Sequence, residues 1–221
     1  MTNHEIQKFL IDIIRSATKE INYHLKAYES LLSKSPNRLK AAYEFKNVVS
    51  QILSIGDVII SFASKNKMKY LKGIENTSET KNLELVPHRI RKNFLNKLKE
   101  LNNIYKEKLF VCTCDSDGSE KSISLRRLNN IIKHRSFPIL PDLLGVVSDD
   151  PNREKVYDHA FKYFENNKLY TIYILGDMNN SVIRGTESSN VDHKTLEILT
   201  KLAKKVSIIL DNLKSMCQQV N

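Results

Sequence analysis

A chain of 221 residues with 41% hydrophobic and 27% charged side chains has enough apolar content for a real core and too much for a disordered tail. Its formal net charge of +10 points to an anionic partner, with nucleic acid first, because phosphate contacts dominate such binding. No apolar run nears the ~20 residues of a membrane span, and the start Met1-Thr2-Asn3-His4-Glu5 lacks the basic-then-apolar design of an export signal, so a cytoplasmic protein without a membrane partner is expected.

Six Gly, five Pro and no Trp leave few turn markers, which favours long helices over many short strands. The positive charge is concentrated. Residues 65–108 carry net +7 and residues 119–136 net +4, whereas residues 142–165 carry net −3. A basic middle suits a nucleic acid, and lysine-rich helices can also be plain solvated faces. The three cysteines, Cys112, Cys114 and Cys217, form no framework and fit a reducing compartment. Cys112-Thr113-Cys114 with Asp115 offers too few ligands for a structural zinc, and no other cluster has metal-ligand spacing. No metal and no cofactor are expected.

The first element, 5–32, repeats Ile6, Phe9, Leu10, Ile13, Ala17, Ile21, Leu25 and Tyr28 at three-four spacing, the mark of a long amphipathic helix. Ser35-Pro36 supplies an N-cap and a first-turn proline for a second helix whose stripe is Leu39, Ala42, Phe45, Val49, Ile52, Ile55, Ile59 and Phe62. Two such helices joined by a few residues should form an antiparallel hairpin. The stretch 66–85 reads as a frayed end and a loop. Pro87 opens a third helix over 88–109, with Phe94, Leu98, Leu101 and Tyr105 on its stripe.

A turn region is expected at 111–119. A fourth helix follows at 120–135, capped by Ser119 or Ser122 and stopped by Pro138 and Pro141. Asp150-Pro151 starts a short fifth helix carrying Val156, Ala160 and Phe164. The segment 169–175, L-Y-T-I-Y-I-L, with 181–185 after it, makes a β-hairpin at about 169–185. A last helix runs over 191–218, capped by Ser189 or Asn190. Residues 138–150 form a long connection suited to a lid or partner loop. The expected fold class is therefore all-α: one domain over 1–221, a bundle of five or six helices with a small late hairpin.

Residues 126–135 read R-R-L-N-N-I-I-K-H-R. On an ideal helix Arg127 and His134 lie about 20° apart around the axis, with Asn130 between them on the same face. The three form one polar stripe, flanked by Arg126, Lys133 and Arg135. These types suit RNA cleavage without a metal. An imidazole can take the 2′-hydroxyl proton or protonate the leaving oxygen. A guanidinium stabilises the charge of the pentacoordinate phosphorane, and an amide can position the imidazole or a phosphate oxygen. A second Arg–His pair, Arg153 and His159, lies about 120° off alignment in an acidic stretch and has no Asn. It is set aside. His134 can also be a helix-end residue bonding a terminal carbonyl. His24, His88, Tyr23, Tyr28 and Tyr43 read as core, rim or first-turn residues.

The segment resembles the HEPN family (higher eukaryotes and prokaryotes nucleotide-binding domain), whose hallmark is an Arg followed after four to six residues by His, often R-N-x-x-x-H. Here Asn130 to His134 matches N-x-x-x-H, Arg127 stands at the long limit of the spacing, and Asn129 replaces the usual Arg. The resemblance implies an all-helical domain, a metal-independent endoribonuclease of a toxin or antiviral-defence system, and a homodimer. Under it, Arg127, Asn130 and His134 are catalytic, and Arg126, Lys133 and Arg135 bind RNA. An antitoxin or a defence-complex partner is implied as well. The alternative is a non-catalytic helical module that binds nucleic acid or a partner through its basic face.

Overall fold

The computed structural model describes residues 3–33, 38–63, 83–139, 157–175 and 195–218. Their elements are α1 (Asn3–Ser33), α2 (Arg38–Ala63), α3 (His88–Lys106), β1 (Lys108–Cys114), β2 (Glu120–Ser124), α4 (Leu125–His134), β3 (Ser136–Ile139), β4 (Tyr157–Glu165), β5 (Lys168–Leu175) and α5 (Thr195–Gln218). Helix predominates among the described residues, and the late hairpin is β4 with β5. The backbone groups into two units. One contains Met1–Tyr23, Ser50–Lys106 and Leu202–Asn221, and the other contains His24–Val49 and Glu107–Lys201.

The first unit is helical. Leu10, Ile14 and Ile21 of α1, Ile52, Ile55 and Ile59 of α2, Phe94, Leu98 and Leu101 of α3, and Val206, Leu210 and Leu213 of α5 are buried. Gly56 permits a close approach of α2 and α3. A Cβ there would stand 3.3 Å from both Leu101 Cδ2 and the Tyr105 hydroxyl oxygen. The Tyr105 hydroxyl donates to the Ile52 carbonyl at 2.7 Å, which satisfies a buried polar group. Pro87 sits just before α3, and Arg91 donates to the carbonyls of Val86 and Glu84, tying the entry loop to the helix. The apolar stretch Leu39–Ala63 is long enough to cross a membrane by length and composition, but half of it is buried within the protein. Its run of Val48, Val49, Ile52, Ile59 and Ile60 is that of a core helix.

The second unit is built on a five-stranded antiparallel sheet in the order β2-β1-β5-β4-β3. This corrects the all-helical expectation for this part of the chain. Residues 120–124 are a strand and not the start of the fourth helix, 108–114 are a strand where a turn was expected at 111–119, and 157–165 are a strand where a fifth helix was expected. The predicted partner arm 181–185, the start of the fifth helix, the caps of the last helix and most of the 138–150 connection lie outside the described residues.

Alternation along β1 places Phe110, Cys112 and Cys114 inward. Register puts them on the same face as Ile123, Phe161, Tyr163, Tyr170 and Ile172. Phe45 of α2 packs onto this face, 5.8 Å from Phe161 and edge-on to Phe110 at 6.4 Å, with Tyr28 of α1 at 5.9 Å. Two tight turns close the hairpins. Gly118 adopts φ +68° between β1 and β2. Between β4 and β5, Asn166 and Asn167 have φ 50° and 60°, the pair of left-handed residues that a two-residue type I′ hairpin requires.

Candidate functional site

Helix α4 leaves β2 at one edge of the sheet and delivers β3 to the other. Ten residues span about 15 Å, close to the roughly 19 Å between the edge strands of a five-stranded sheet. Ser124 is the N-cap: its hydroxyl accepts from the Arg127 backbone N–H at 3.2 Å. The expected caps Ser119 and Ser122 are in the β1–β2 turn and in β2 instead. Leu125, Leu128, Ile131 and Ile132 are buried, and they define the side of α4 that faces the sheet.

The polar stripe falls where its spacing places it. Asn130 and His134 are exposed, Lys133 and Arg135 are exposed, and Arg126 and Arg127 are half-buried. Helix α4 contains no acidic residue. Asn129 points away from the stripe. Its side-chain oxygen is buried with no partner among the described residues, as is the Ser136 hydroxyl. An arginine at 129 would not have joined the exposed stripe.

Arg127 does not stand alone with its imidazole neighbour. Around the axis it lies nearest the buried side of α4, about 40° from Ile131, and its guanidinium bonds the carboxylate of Glu165 at the end of β4. The same carboxylate takes Lys121 of β2 at 2.8 Å and lies 3.9 Å from the guanidinium of Arg135. Glu165 is 18% exposed, while the side chains of Lys121, Arg127 and Arg135 are 38%, 36% and 55% exposed. One carboxylate thus sits beneath three cations that reach toward water. Glu165 and Lys121 were not found from sequence. Glu165 follows Phe164, the last stripe position of the expected fifth helix, and only the antiparallel register brings it beside α4.

Two tyrosines underlie the cluster. The rings of Tyr163 and Tyr170 stack at 5.3 Å, and the Lys121 ammonium lies 3.7 Å from the centre of Tyr170, within cation–π range. The Tyr163 hydroxyl donates to Cys112 Sγ at 3.3 Å. Burial, with the Cys112 contact next, pushes the Tyr163 phenol up to about 12. Burial also raises the Cys112 thiol above its ordinary range, so neither group is poised for proton transfer or nucleophilic attack near neutrality.

Two further ion pairs of this unit are one-to-one, the first on the opposite face of the sheet and the second at the β1–β2 turn. Lys162 reaches Asp115 at 2.8 Å, and Asp115 also accepts from Thr171 at 2.6 Å. Lys168 reaches Asp117 at 2.7 Å and holds its carboxyl well below the usual range. His24 of α1 meets Glu44 of α2 at 2.7 Å and is half-buried, which accounts for it structurally.

Comparison with known proteins returns nothing: no family model, no curated protein and no solved structure matches the chain significantly.

Proposed function

We propose that this protein is an RNA-binding module that grips the phosphate backbone through the exposed face of α4. The observation that carries this reading is the unequal state of the stripe. Asn130, Lys133 and His134 on a helix without acids, and Arg135 at its C-cap, are exposed, whereas Arg127 is already paired with Glu165. A guanidinium promotes phosphoryl chemistry by meeting charge as it develops. One whose charge is met in advance by a carboxylate has less to give, so backbone binding is favoured over cleavage.

Fluorescence polarisation of a labelled single-stranded RNA against salt tests the reading. With about four phosphate contacts, log affinity should fall against log salt with a slope near −3. Lys133→Gln, Arg126→Gln and Arg135→Gln should each weaken binding and flatten that slope by roughly one. A slope unchanged by all three would remove α4 from the interface.

A second reading is a HEPN-type endoribonuclease, and it rests on the exposure of His134 and Asn130 on one side of the same helix. Its test is incubation of RNA with the protein and EDTA, followed by end-group analysis. Cutting to a 2′,3′-cyclic phosphate that His134→Ala abolishes, with binding retained, would move the assignment to the nuclease. RNA left intact at high protein concentration keeps the binding module.

A further inference from the structure

Among the described residues, the charge around Glu165 does not balance. Lys121, Arg127 and Arg135 bring three positive charges to one negative, a formal excess of two. Two other ion pairs of this unit are matched one to one, Lys162 with Asp115 on the other sheet face and Lys168 with Asp117 at the β1–β2 turn. Like-charged groups gathered around a single carboxylate repel one another, and a bound anion would relieve that repulsion.

The arrangement has the shape of an anion seat as well as its charge. Glu165 is the deeper group, and the three cations are more exposed than it is. Arg135, at 3.9 Å from the carboxylate, is within ion-pair range but too far to hydrogen-bond it, so its planar fork is not committed there. Lys121 is steadied from below by the Tyr170 ring. Two guanidiniums and one ammonium, fixed from β2 and from both ends of α4, can present donors to an oxyanion with several terminal oxygens.

We infer that this cluster is a seat for a terminal phosphomonoester of the RNA that α4 binds. An internal phosphodiester carries one negative charge and two free oxygens. A terminal phosphate carries close to two charges near neutral pH and has three oxygens, which matches the local excess and the donors available. The inference rests on the RNA-binding reading and adds which chemical end of the strand is held.

The test uses one oligoribonucleotide sequence, internally labelled, in three forms: 5′-phosphate, 3′-phosphate, and hydroxyl at both ends. At least one phosphorylated form should bind about tenfold more tightly than the hydroxyl form. Arg135→Gln should erase that preference while leaving the far-ultraviolet dichroism unchanged. Arg127→Gln should do the same if it folds, and Arg135→Gln suffices if it does not. Equal affinity for all three forms would overturn the seat and leave the RNA-binding reading standing.

If no RNA binds, that reading fails separately, and a titration with inorganic phosphate followed by calorimetry decides the seat. Glu165→Gln removes the competing carboxylate, so it should bind phosphate several-fold more tightly than the wild type, an effect that Arg135→Gln reverses in the double variant. A purely structural ion-pair network predicts no phosphate binding in either protein, and that result would end the proposal.

Discussion

The guanidinium of Arg127 and the carboxylate of Glu165, 38 positions apart in sequence, join α4 to the end of β4. The pair is partly open to water, so its net worth is limited by screening. The two partners are not equivalent. Losing Arg127 leaves Glu165 with Lys121, whereas losing Glu165 leaves three cations facing one another. Arg127→Ala should cost under about 1 kcal/mol, and Glu165→Ala about 1–2 kcal/mol. Urea unfolding at low and high salt checks both the order and the cause. Added salt should shrink the Glu165→Ala penalty.

The β4–β5 turn gives a sharper stability test. Asn166 and Asn167 both hold positive φ, which Asn tolerates and β-branched residues do not. Asn167→Gly should be neutral or slightly stabilising. Asn167→Val should cost about 1–3 kcal/mol, because the left-handed conformation is retained only under strain. Thermal unfolding of the two variants should bracket the wild type, or at least place valine well below glycine. Equal midpoints would contradict the turn geometry.

Alkali should weaken the fold. The Tyr163 phenol is pushed up to about 12 and the Cys217 thiol to about 11, both by burial, and the Cys112 thiol is raised for the same reason. A group held protonated in the folded state stabilises it fully below its unfolded value, near 10 for tyrosine and 9 for cysteine. That contribution is lost as pH rises through the folded value. The urea midpoint should therefore fall steadily between pH 9 and pH 11, and Cys217→Ala should flatten the early part of the fall. Thiol labelling at pH 8 should be slow in the native protein and fast in urea.

Gly56 tests the packing of the helical unit. A larger side chain would meet Leu101 and the Tyr105 hydroxyl, which is engaged with the Ile52 carbonyl. Gly56→Val should cost roughly 2 kcal/mol by overpacking. Gly56→Ala sets a helix-propensity gain of about 1 kcal/mol against a few tenths of an ångström of displacement, and should be near neutral. Circular-dichroism melts of the pair measure both.

The long helices were legible because their apolar residues repeat over many turns. Ile21 and Tyr28 in α1, Val49, Ile52 and Ile59 in α2, and Leu199, Val206 and Leu213 in α5 are buried as the spacing requires. The sheet was not legible for a physical reason. In β4, Ala160 and Phe164 stand four apart and mimic a helix stripe, yet Phe164 is 63% exposed while Phe161 and Tyr163 are buried. In β2 only Ile123 is buried, and five residues are too few to show a period of two. The stripe of Arg127, Asn130 and His134 was visible because ten helical residues suffice to fix its direction. Its neighbour Glu165 was hidden because strand pairing, and not local spacing, brings it there.

The asparagine turn has a consequence for charge. Side chains alternate between the two faces of a strand, so a one-residue change in the length of that turn would slip β4 against β5. Glu165 would then leave the helix-covered face for the other one, and Lys121, Arg127 and Arg135 would lose the counterion they share among the described residues. Two uncharged residues at the tip of a hairpin therefore set how much of the positive charge beside α4 is neutralised.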